Sequence, residues 1–491
     1  MKIGKAVVLF GEMIICCSGC VDDPASVHRE GPEAGYLVSD AGFRDVKGLE
    51  AGHFVSDAGS GQRNEPEAGG LVSDTGSAEK LESEAGDLVS EAASADRKGP
   101  EAGASVSDAG SGEKERSQTD VCGFTAPVSL GEVEADGMVL VPPNHPDILY
   151  FGRIDCSTPL APSFAFPGVS IRVAFNGDAI DIVFTDHGNA NSPNYYNVII
   201  DAGEPEVLEM IPGRNVYTLA ENLSTGVHTV ELFKRVESNQ DEGRGEFQGF
   251  RIPEGASVMP LSPKPYRLEV IGDSITCGYG NEVSVLDPTN YHYTTENSNA
   301  YNAWGAIAAR NLDAEYVAVA YSGRGVYRNY GGEDRETVPE MYLDALPDNL
   351  SAAPWDVSRF VPDIVVINLG TNDFSPELET AEINAATKEF EMSYLEFAET
   401  LRSYYSEATF VLAVGPMLSD SYPPGYQALS NVTDSLEAVI AARKAVGDDG
   451  FYLLEIPEQL APYGEDWHPT VTTHEAMAER LVDFIDRLDL L

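Results

Sequence analysis

A serine that follows a short apolar stretch is the first residue in this sequence that could do chemistry. The segment VIGDSITCGYG places Ser274 between an acid and a glycine-rich turn. The motif G-x-S-x-G does not occur around it, so a nucleophile elbow of that type is not predicted. A serine hydroxyl is a weak nucleophile until a base removes its proton, and histidine titrates in the required range. Ser274 therefore requires a histidine that can reach its hydroxyl.

Three of the eight histidines follow the Ser274 segment and are candidates for the base. His474 lies within TTHEAMAERLVDFI, whose apolar spacing predicts an amphipathic helix, and we expect it on the helix surface. His292 lies in a polar loop and is the second choice. His468 precedes the helix on a loop after an apolar segment, where functional residues are common, and it is our candidate base.

The elements that would position these residues alternate between strand and helix patterns after Pro265. Because the strand-like segments are separated by amphipathic runs, residues 266–491 are predicted to form a three-layer α/β domain with a parallel sheet. Ligands bind outside the carboxyl ends of strands in such sheets. Ser274, Gly323 and Asn372 follow the first three strands and are expected at one rim. The strand-like segments are RLEVIG, YVAVAYSG, DIVVINLG, TFVLAVGP and FYLLEI.

Two other patterns precede this domain. Residues 125–255 alternate apolar and polar residues, as in IRVAFNGDAIDIVF, which predicts an all-β sandwich. Residues 21–120 repeat a phrase such as EAGYLVSDAG five times, at a constant step of 17 residues. Each copy has too few apolar side chains to offset the entropy of ordering it, which favours a disordered acidic spacer over a small β-solenoid.

The first twenty residues have the layout of an export signal, with two lysines, a short apolar run and small residues before Cys20. The ending CSGC resembles a bacterial lipobox, in which Cys20 would be lipidated. We expect an exported protein, either secreted or held at the cell surface, with an unprocessed terminus as the alternative. In an exported chain Cys122 and Cys156 could pair, and Cys277 is expected to be a buried thiol.

The composition disfavours several classes of partner. The formal net charge is −49, from 80 acidic and 31 basic residues. Such a chain repels phosphate backbones and anionic membrane surfaces, so we expect no nucleic acid, and a membrane only through a lipid anchor. Neither H-E-x-x-H nor a paired-cysteine ligand set occurs, and neither a metal nor another cofactor is predicted.

Four short motifs occur in the order found in SGNH, or GDSL-type, hydrolases. They are GDS at 272–274, Gly323 in YSGRG, Asn372 in GTND and His468 in DWHP. With the longer strings GDSITCGYGNE, SGRGVYRNYG and VVINLGTNDFS, residues 125–491 resemble carbohydrate esterase family 2. The resemblance implies a jelly-roll-like sandwich followed by an SGNH domain. It also implies a serine acetyl esterase that deacetylates polysaccharides through an acyl-enzyme, with preference for the 6-hydroxyl of hexose units.

The resemblance implies roles for individual residues as well. The backbone N–H groups of Ser274 and Gly323 and the side-chain amide of Asn372 would form the oxyanion hole. SGNH hydrolases usually have an aspartate three residues before the histidine, where this sequence has Glu465, and Asp466 lies two before. We assign Asp466 to orient His468, with Glu465 or a backbone carbonyl as the alternatives.

Two aromatic residues are candidate substrate contacts. Trp467 is next to the base, and Tyr330 follows the Gly323 motif, so both could stack on sugar rings. Packing in the core is the competing interpretation, since large aromatic side chains usually serve packing. For the whole chain the alternatives are a lipase or thioesterase of the GDSL type, or an inactive carbohydrate-binding protein.

Overall fold

The computed structural model describes residues 120–491, apart from residue 127, residues 239–242, residue 334, residues 348–351 and residue 377. The predicted export signal, the predicted lipidation site Cys20 and the predicted spacer over residues 21–120, except residue 120, lie outside the described residues. Two regions follow one another in the described chain. The first contains eleven strands, and the second contains five strands and six α-helices.

The first region is a sandwich of two antiparallel sheets. One sheet has the order β1-β10-β5-β8, with β3 on β10, and the other has the order β11-β4-β9-β6-β7, with β2 on β4. The strands are β1 (Met138–Val141), β2 (Ile148–Phe151), β3 (Ser163–Phe164), β4 (Ser170–Asn176), β5 (Ile180–Asp186), β6 (Tyr195–Ile200), β7 (Glu206–Glu209), β8 (Gly213–Ala220), β9 (Val227–Lys234), β10 (Gly245–Pro253) and β11 (Ser257–Met259).

The period-two pattern of the sequence produces the core of this sandwich. Ile171 and Phe175 of one sheet are buried in the same cluster as Ile182 and Phe184 of the other. Phe184 also meets Tyr196 across the two sheets, at 5.3 Å between ring centroids. The alternating strands therefore bury their apolar faces against each other, and the predicted sandwich is confirmed.

A disulfide links the start of the described chain to the sandwich. Cys122 and Cys156 are bonded, with their Cα atoms 5.7 Å apart. Cys277 is a free and buried thiol. The pairing that the sequence left open is thus present, and the expectation for Cys277 is confirmed.

The second region is a parallel five-stranded sheet of order β13-β12-β14-β15-β16. Its strands are β12 (Tyr266–Gly272), β13 (Ala314–Ala320), β14 (Ile364–Asn368), β15 (Thr409–Val414) and β16 (Phe451–Glu455). Its helices are α1 (Ser274–Cys277), α2 (Trp304–Asn311), α3 (Val338–Met341), α4 (Ile383–Tyr404), α5 (Ala428–Ala445) and α6 (Val471–Leu488). None of the helices in the described ranges has an apolar stretch long enough to cross a bilayer.

Successive strand residues bury into opposite helical layers. Val270 of β12 lies in a cluster with Trp304 of α2 and residues of α6. Its neighbour Ile271 lies in a cluster with Phe390 of α4 and Leu436 of α5. The sheet is therefore covered on both faces, as the strand and helix alternation predicted.

The strand order places a crevice beside the end of β12. From β12 the chain crosses to β13 on one side and then to β14 on the other, so the order reverses between β12 and β14. In such sheets ligands bind at this reversal, outside the carboxyl ends of the strands. Ser274 follows β12 directly, and Asn372 follows β14.

Ion pairs join the sandwich to the parallel-sheet domain. In each pair an arginine of the sandwich donates to a glutamate of the second domain. The pairs are Arg153 with Glu269 at 2.9 Å, Arg172 with Glu315 at 2.5 Å and Arg235 with Glu282 at 2.5 Å. Glu269 and Glu315 are buried, so removing one partner would cost about 3–5 kcal/mol. The two domains therefore meet along a charged and specific interface.

Candidate active site

Ser274 is held at the entrance of a single helical turn. The Asp273 carboxylate accepts the Ile275 N–H at 3.0 Å and caps this turn. A Cβ at Gly272 would lie 2.1 Å from Thr276 Oγ1, so only glycine permits the tight passage from strand to turn. Ser274 is 7% exposed, and its Oγ lies 2.7 Å from His468 Nε2. The candidate nucleophile and base are thus in hydrogen-bond contact.

The segment that carries His468 is tied back toward Ser274 by backbone hydrogen bonds. Tyr463 and Val285 exchange two bonds of 2.8 Å. Farther along, Glu465 N donates to the Gly280 carbonyl at 3.1 Å, and Val471 N donates to that of Asn281 at 2.9 Å. These bonds return residues 463–471, which follow the last strand of the sheet, to the end of β12. We call this segment the histidine loop.

The Glu465 side chain fixes the same loop from inside. Its buried carboxylate accepts the Thr294 N–H at 2.8 Å, the Thr294 hydroxyl at 2.9 Å and the Asn297 amide at 2.7 Å. A Cβ at Gly280 would come within 2.3 Å of Glu465 Cβ, so the glycine makes room for this contact. The Glu465 carboxylate therefore stabilises the loop through these three hydrogen bonds and does not orient His468.

The ring of His468 is oriented by a backbone carbonyl. His468 Nδ1 lies 3.0 Å from the Glu465 carbonyl oxygen, which can only accept, so Nδ1 carries the proton. Asp466 instead accepts from Tyr279 Oη at 2.7 Å, His292 Nδ1 at 2.7 Å and Tyr293 N at 3.1 Å. The assignment of Asp466 as the acid that orients His468 is therefore wrong.

The backbone explains this correction. Asp466 has φ 46° and ψ 42°, a left-handed conformation within the turn Glu465–Trp467. The Asp466 carboxylate bonds to His292, Tyr293 and the Tyr279 hydroxyl instead of the His468 ring. The alternative of a backbone carbonyl, left open by the sequence, is the one the geometry shows.

Tyr279 supports His468 from the side. The two rings are stacked at 4.0 Å between centroids with 20° between their planes. Because the Tyr279 hydroxyl donates to Asp466, the stack is fixed at its outer end. Sequence reasoning missed Tyr279, although it stands in the GYG that follows the nucleophile.

Burial makes His468 a neutral base at ordinary pH. It lowers the pKa of His468 to about 4, partly offset by the Glu465 carbonyl and the charge of Asp466. Nε2 therefore presents its lone pair to Ser274. His474 differs from expectation: it is fully buried, its Nδ1 accepts the Trp304 N–H at 3.3 Å, and its predicted place on the helix surface is wrong.

Two backbone donors and one amide surround the space beside Ser274. Among the described residues, neither the Ser274 nor the Gly323 N–H has an acceptor. Gly323 has φ 77°, which favours glycine, while Tyr330 N holds the Gly323 carbonyl at 2.8 Å. The Asn372 amide donates to the Arg324 carbonyl at 2.8 Å and to Asp273 at 3.2 Å. A substrate oxygen would compete with the longer of these two contacts.

A second buried acid, Asp373, shapes the segment after Gly323. Its carboxylate accepts backbone N–H groups from Val326 at 2.9 Å, Tyr327 at 2.9 Å and Arg328 at 3.2 Å. Burial raises the pKa of Asp373 to about 6 and that of Asp273 to about 7. Asp373 was not assigned from the sequence, and its place beside Asn372 in GTND was the only signal.

The two candidate aromatic contacts lie at the rim of the site. Trp467 is 46% exposed and follows directly on Asp466, while Tyr330 is 49% exposed and bonded to Gly323. Such exposure argues against packing in the core, and stacking on a sugar stays a prediction. No group of three metal-binding side chains occurs in the part of the chain that the structure describes.

The fold and this geometry define a serine hydrolase of the SGNH type. The family models for the carbohydrate esterase 2 N-terminal domain and for the GDSL-like lipase/acylhydrolase family match residues 150–262 and 270–476. The chain is 30% identical to an acetylxylan esterase / glucomannan deacetylase of Cellvibrio japonicus over 345 residues, 67% of this chain and 86% of the relative. The chain belongs to carbohydrate esterase family 2, a class of carboxylic ester hydrolases.

Two further comparisons support the same family. Cellulase/esterase CelE of Acetivibrio thermocellus is 34% identical over 340 residues, 69% of this chain. The match spans 39% of the length of CelE. The structure of a family two carbohydrate esterase from Clostridium thermocellum in complex with cellohexaose is 34% identical, with a TM-score of 0.62, over 70% of this chain and 100% of that one.

Proposed function

We propose that this protein is a serine esterase that removes O-acetyl groups from polysaccharides. The observation that carries the proposal is the 2.7 Å contact between Ser274 Oγ and His468 Nε2, beside two backbone N–H groups that have no acceptor within the described part of the chain. A relative named acetylxylan esterase / glucomannan deacetylase and a related esterase with bound cellohexaose support a polysaccharide substrate. An acetylated polysaccharide or oligosaccharide is therefore the expected partner.

The reaction follows from the positions of these groups. His468 Nε2 takes the proton of Ser274 as its Oγ attacks the acetyl carbonyl carbon. The resulting oxyanion is bound by the N–H groups of Ser274 and Gly323 and by the Asn372 amide. The intermediate collapses, His468 returns the proton to the departing sugar oxygen, and an acetyl group remains on Ser274. Water, deprotonated by His468, then releases acetate and restores the serine.

The environment of His468 stabilises the charge that forms in each step. When Nε2 becomes protonated, the Glu465 carbonyl accepts from Nδ1, and the nearby negative charge of Asp466 favours the imidazolium. The stacked Tyr279 ring keeps the His468 imidazole in its orientation toward Ser274. A single carbonyl thus performs the orienting role that a carboxylate has in a triad.

The proposal extends to the acetyl position. Ser274 is nearly buried, whereas Trp467, next to His468 in the chain, and Tyr330, bonded to Gly323, are exposed. An acetyl group on the exocyclic 6-oxygen of a hexose projects from the ring, so it can reach Ser274 while the ring rests on an exposed aromatic side chain. These features support a preference for 6-O-acetyl groups.

We also propose export, with residues 21–120 as a spacer and a lipid anchor at Cys20 as one form of attachment. The Cys122–Cys156 disulfide supports this, because disulfides form and persist in oxidising compartments. The remaining support is the layout of the first twenty residues.

Acetate release from glucomannan acetylated at the 6-position, compared with xylan acetylated on ring hydroxyls, tests the substrate. We expect faster release from the glucomannan. With 4-nitrophenyl esters, kcat/KM for acetate should exceed that for butyrate by about 10-fold or more, since a small pocket discriminates by the extra methylenes. Preference for longer acyl chains would indicate a lipase or thioesterase. Binding of glycan with no hydrolysis would indicate a carbohydrate-binding protein.

A further inference from the structure

One carboxyl group of the sandwich reaches the segments that carry both backbone donors. Glu237 follows β9, and its Oε2 accepts the Ser322 N–H at 2.7 Å. The same oxygen lies 3.4 Å from Cys277 Sγ, which donates to it. Ser322 immediately precedes Gly323, and Cys277 ends the turn that Ser274 begins. Glu237 therefore bridges the two strand ends whose N–H groups face the substrate oxygen.

The residues around Glu237 hold it in place. On one side, Ser238 accepts the Tyr321 hydroxyl with its carbonyl at 2.5 Å. On the other, the buried Arg235 guanidinium donates to Glu282 at 2.5 Å, and Ala300 N donates to the Arg235 carbonyl at 2.8 Å. Glu237 is thus anchored to the second domain on both sides, so its carboxyl has little freedom to move.

We propose that Glu237 is a positioning residue that fixes the separation of the Ser274 and Gly323 N–H groups, so that the sandwich completes the oxyanion site. The inference rests on the esterase function proposed above. A donor helps only when it already points to the place where the oxyanion forms. Without Glu237, the Ser322 N–H would lose its acceptor. The Tyr321–Ser322 peptide, one before the peptide that carries the Gly323 N–H, would then be held only through its carbonyl, which accepts the Arg324 N–H at 3.4 Å.

The charge of the carboxyl bears on this role. A carboxylate so close to a developing oxyanion would oppose it. Burial raises the pKa of Glu237, although part of the residue remains exposed, while the hydrogen bonds from Ser322 and the charge of Lys234 lower it. The function needs an accepting oxygen at this position rather than a negative charge. Glutamine is neutral and keeps such an oxygen, so the Glu237→Gln variant should retain activity.

The test compares the folded full chain with its Glu237→Ala and Glu237→Gln variants on 4-nitrophenyl acetate. Removing one oxyanion donor costs about 100- to 1,000-fold, and a residue that only positions donors should cost less. We expect Glu237→Ala to lower kcat by about 10- to 100-fold with KM within about twofold. Glu237→Gln should stay within about threefold of the wild-type kcat.

Glu315→Ala is the matched control for Glu237→Ala. Glu315 is a buried glutamate of the same domain interface, bonded to Arg172, but it lies at the opposite end of β13 from Gly323. We expect this variant to lower the melting temperature and leave kcat unchanged. A merely structural role for Glu237 would give the same pattern as this control.

Three outcomes would overturn the inference. These are a folded Glu237→Ala with at least half the wild-type kcat, a change confined to KM, and a Glu237→Gln as slow as the alanine variant. If the alanine variant fails to fold, Glu237→Asp withdraws the acceptor by one methylene, and an unchanged kcat there is equally contrary. A wild-type protein with no esterase activity would overturn the proposed function, and this inference with it.

Discussion

The active site is built from two parts that are positioned differently. One part is the set of segments after strands β12, β13 and β14, which carry Ser274, Gly323 and Asn372. The other part is the histidine loop. The strand ends follow β12, β13 and β14, which are neighbours in register: Gly272 pairs with Ala320 on one side and Asn368 on the other. The histidine loop follows β16, which is separated from β14 by β15. Regular sheet pairing therefore positions Ser274, Gly323 and Asn372. Hydrogen bonds outside the sheet bring the histidine loop back to them.

This difference shows which parts of the site depend on local sequence. A residue that follows a sheet strand is placed by the sheet, so a short motif is enough to position it. His468 is placed by contacts with the segment from Gly280 to Asn297, far away in the chain. We therefore expect substitutions at the strand ends to act on chemistry directly, and substitutions around the loop to act through the orientation of His468.

Ser274→Ala should have the largest effect at the strand ends. Because serine and base act as a unit, we expect kcat on 4-nitrophenyl acetate to fall by about four to six orders of magnitude. Ser435→Ala is a suitable control, since Ser435 is also buried but lies on α5, where its hydroxyl donates to the Asn431 carbonyl of the same helix. More than a tenth of the wild-type rate in Ser274→Ala would exclude this serine as the nucleophile.

Asn372→Ala should have the next largest effect on kcat, because it removes the side-chain donor of the oxyanion site. The expected loss in kcat is about 100- to 1,000-fold, with little change in KM. Asn372→Asp keeps the shape but replaces the donor by an acceptor, so it should be at least as slow. An aspartate variant faster than the alanine variant would contradict the role of the Asn372 amide as an oxyanion donor, because an ionised carboxylate has no proton to donate.

In the histidine loop, Tyr279→Leu should have a smaller effect. It removes a ring stacked on His468, and such aromatic contacts are worth about 0.5–1.5 kcal/mol, so kcat should fall by up to about 10-fold. Tyr279→Phe keeps the ring and should stay within about threefold. Equal losses in both variants would assign the effect to the hydroxyl and its bond to Asp466.

Asp466→Asn should have the smallest effect, and it separates the two ways of holding His468 most sharply. Asparagine keeps an acceptor for the Tyr279 hydroxyl, and the Glu465 carbonyl is untouched, so we expect kcat to fall by less than about 10-fold. The same change in a true triad costs about 10,000-fold. A loss of that size would restore Asp466 as the orienting acid.

The sequence predicted most of what the sheet positions. Both domain folds, the five strands and the approach of Ser274 to His468 followed from apolar periodicity and motif order. The predictions from sequence failed where tertiary contacts determine the position of a side chain. The left-handed backbone at Asp466 reversed the assignment of the acid, and His474 is buried against Trp304 although its helix is amphipathic. Glu237 carried no signal, because its partners belong to another domain.

A direct measurement of the pKa of His468 tests the central claim, that a neutral histidine is held by a backbone carbonyl. The protein can be labelled with 13C at histidine Cε1, the signal assigned by its loss in His468→Gln, and the titration followed by NMR in wild type and Asp466→Asn. The account predicts a midpoint at about 4 in the wild type, with a small further decrease in the variant. A midpoint at or above the ordinary value of about 6.5, falling steeply in Asp466→Asn, would show that the carboxylate holds the ring.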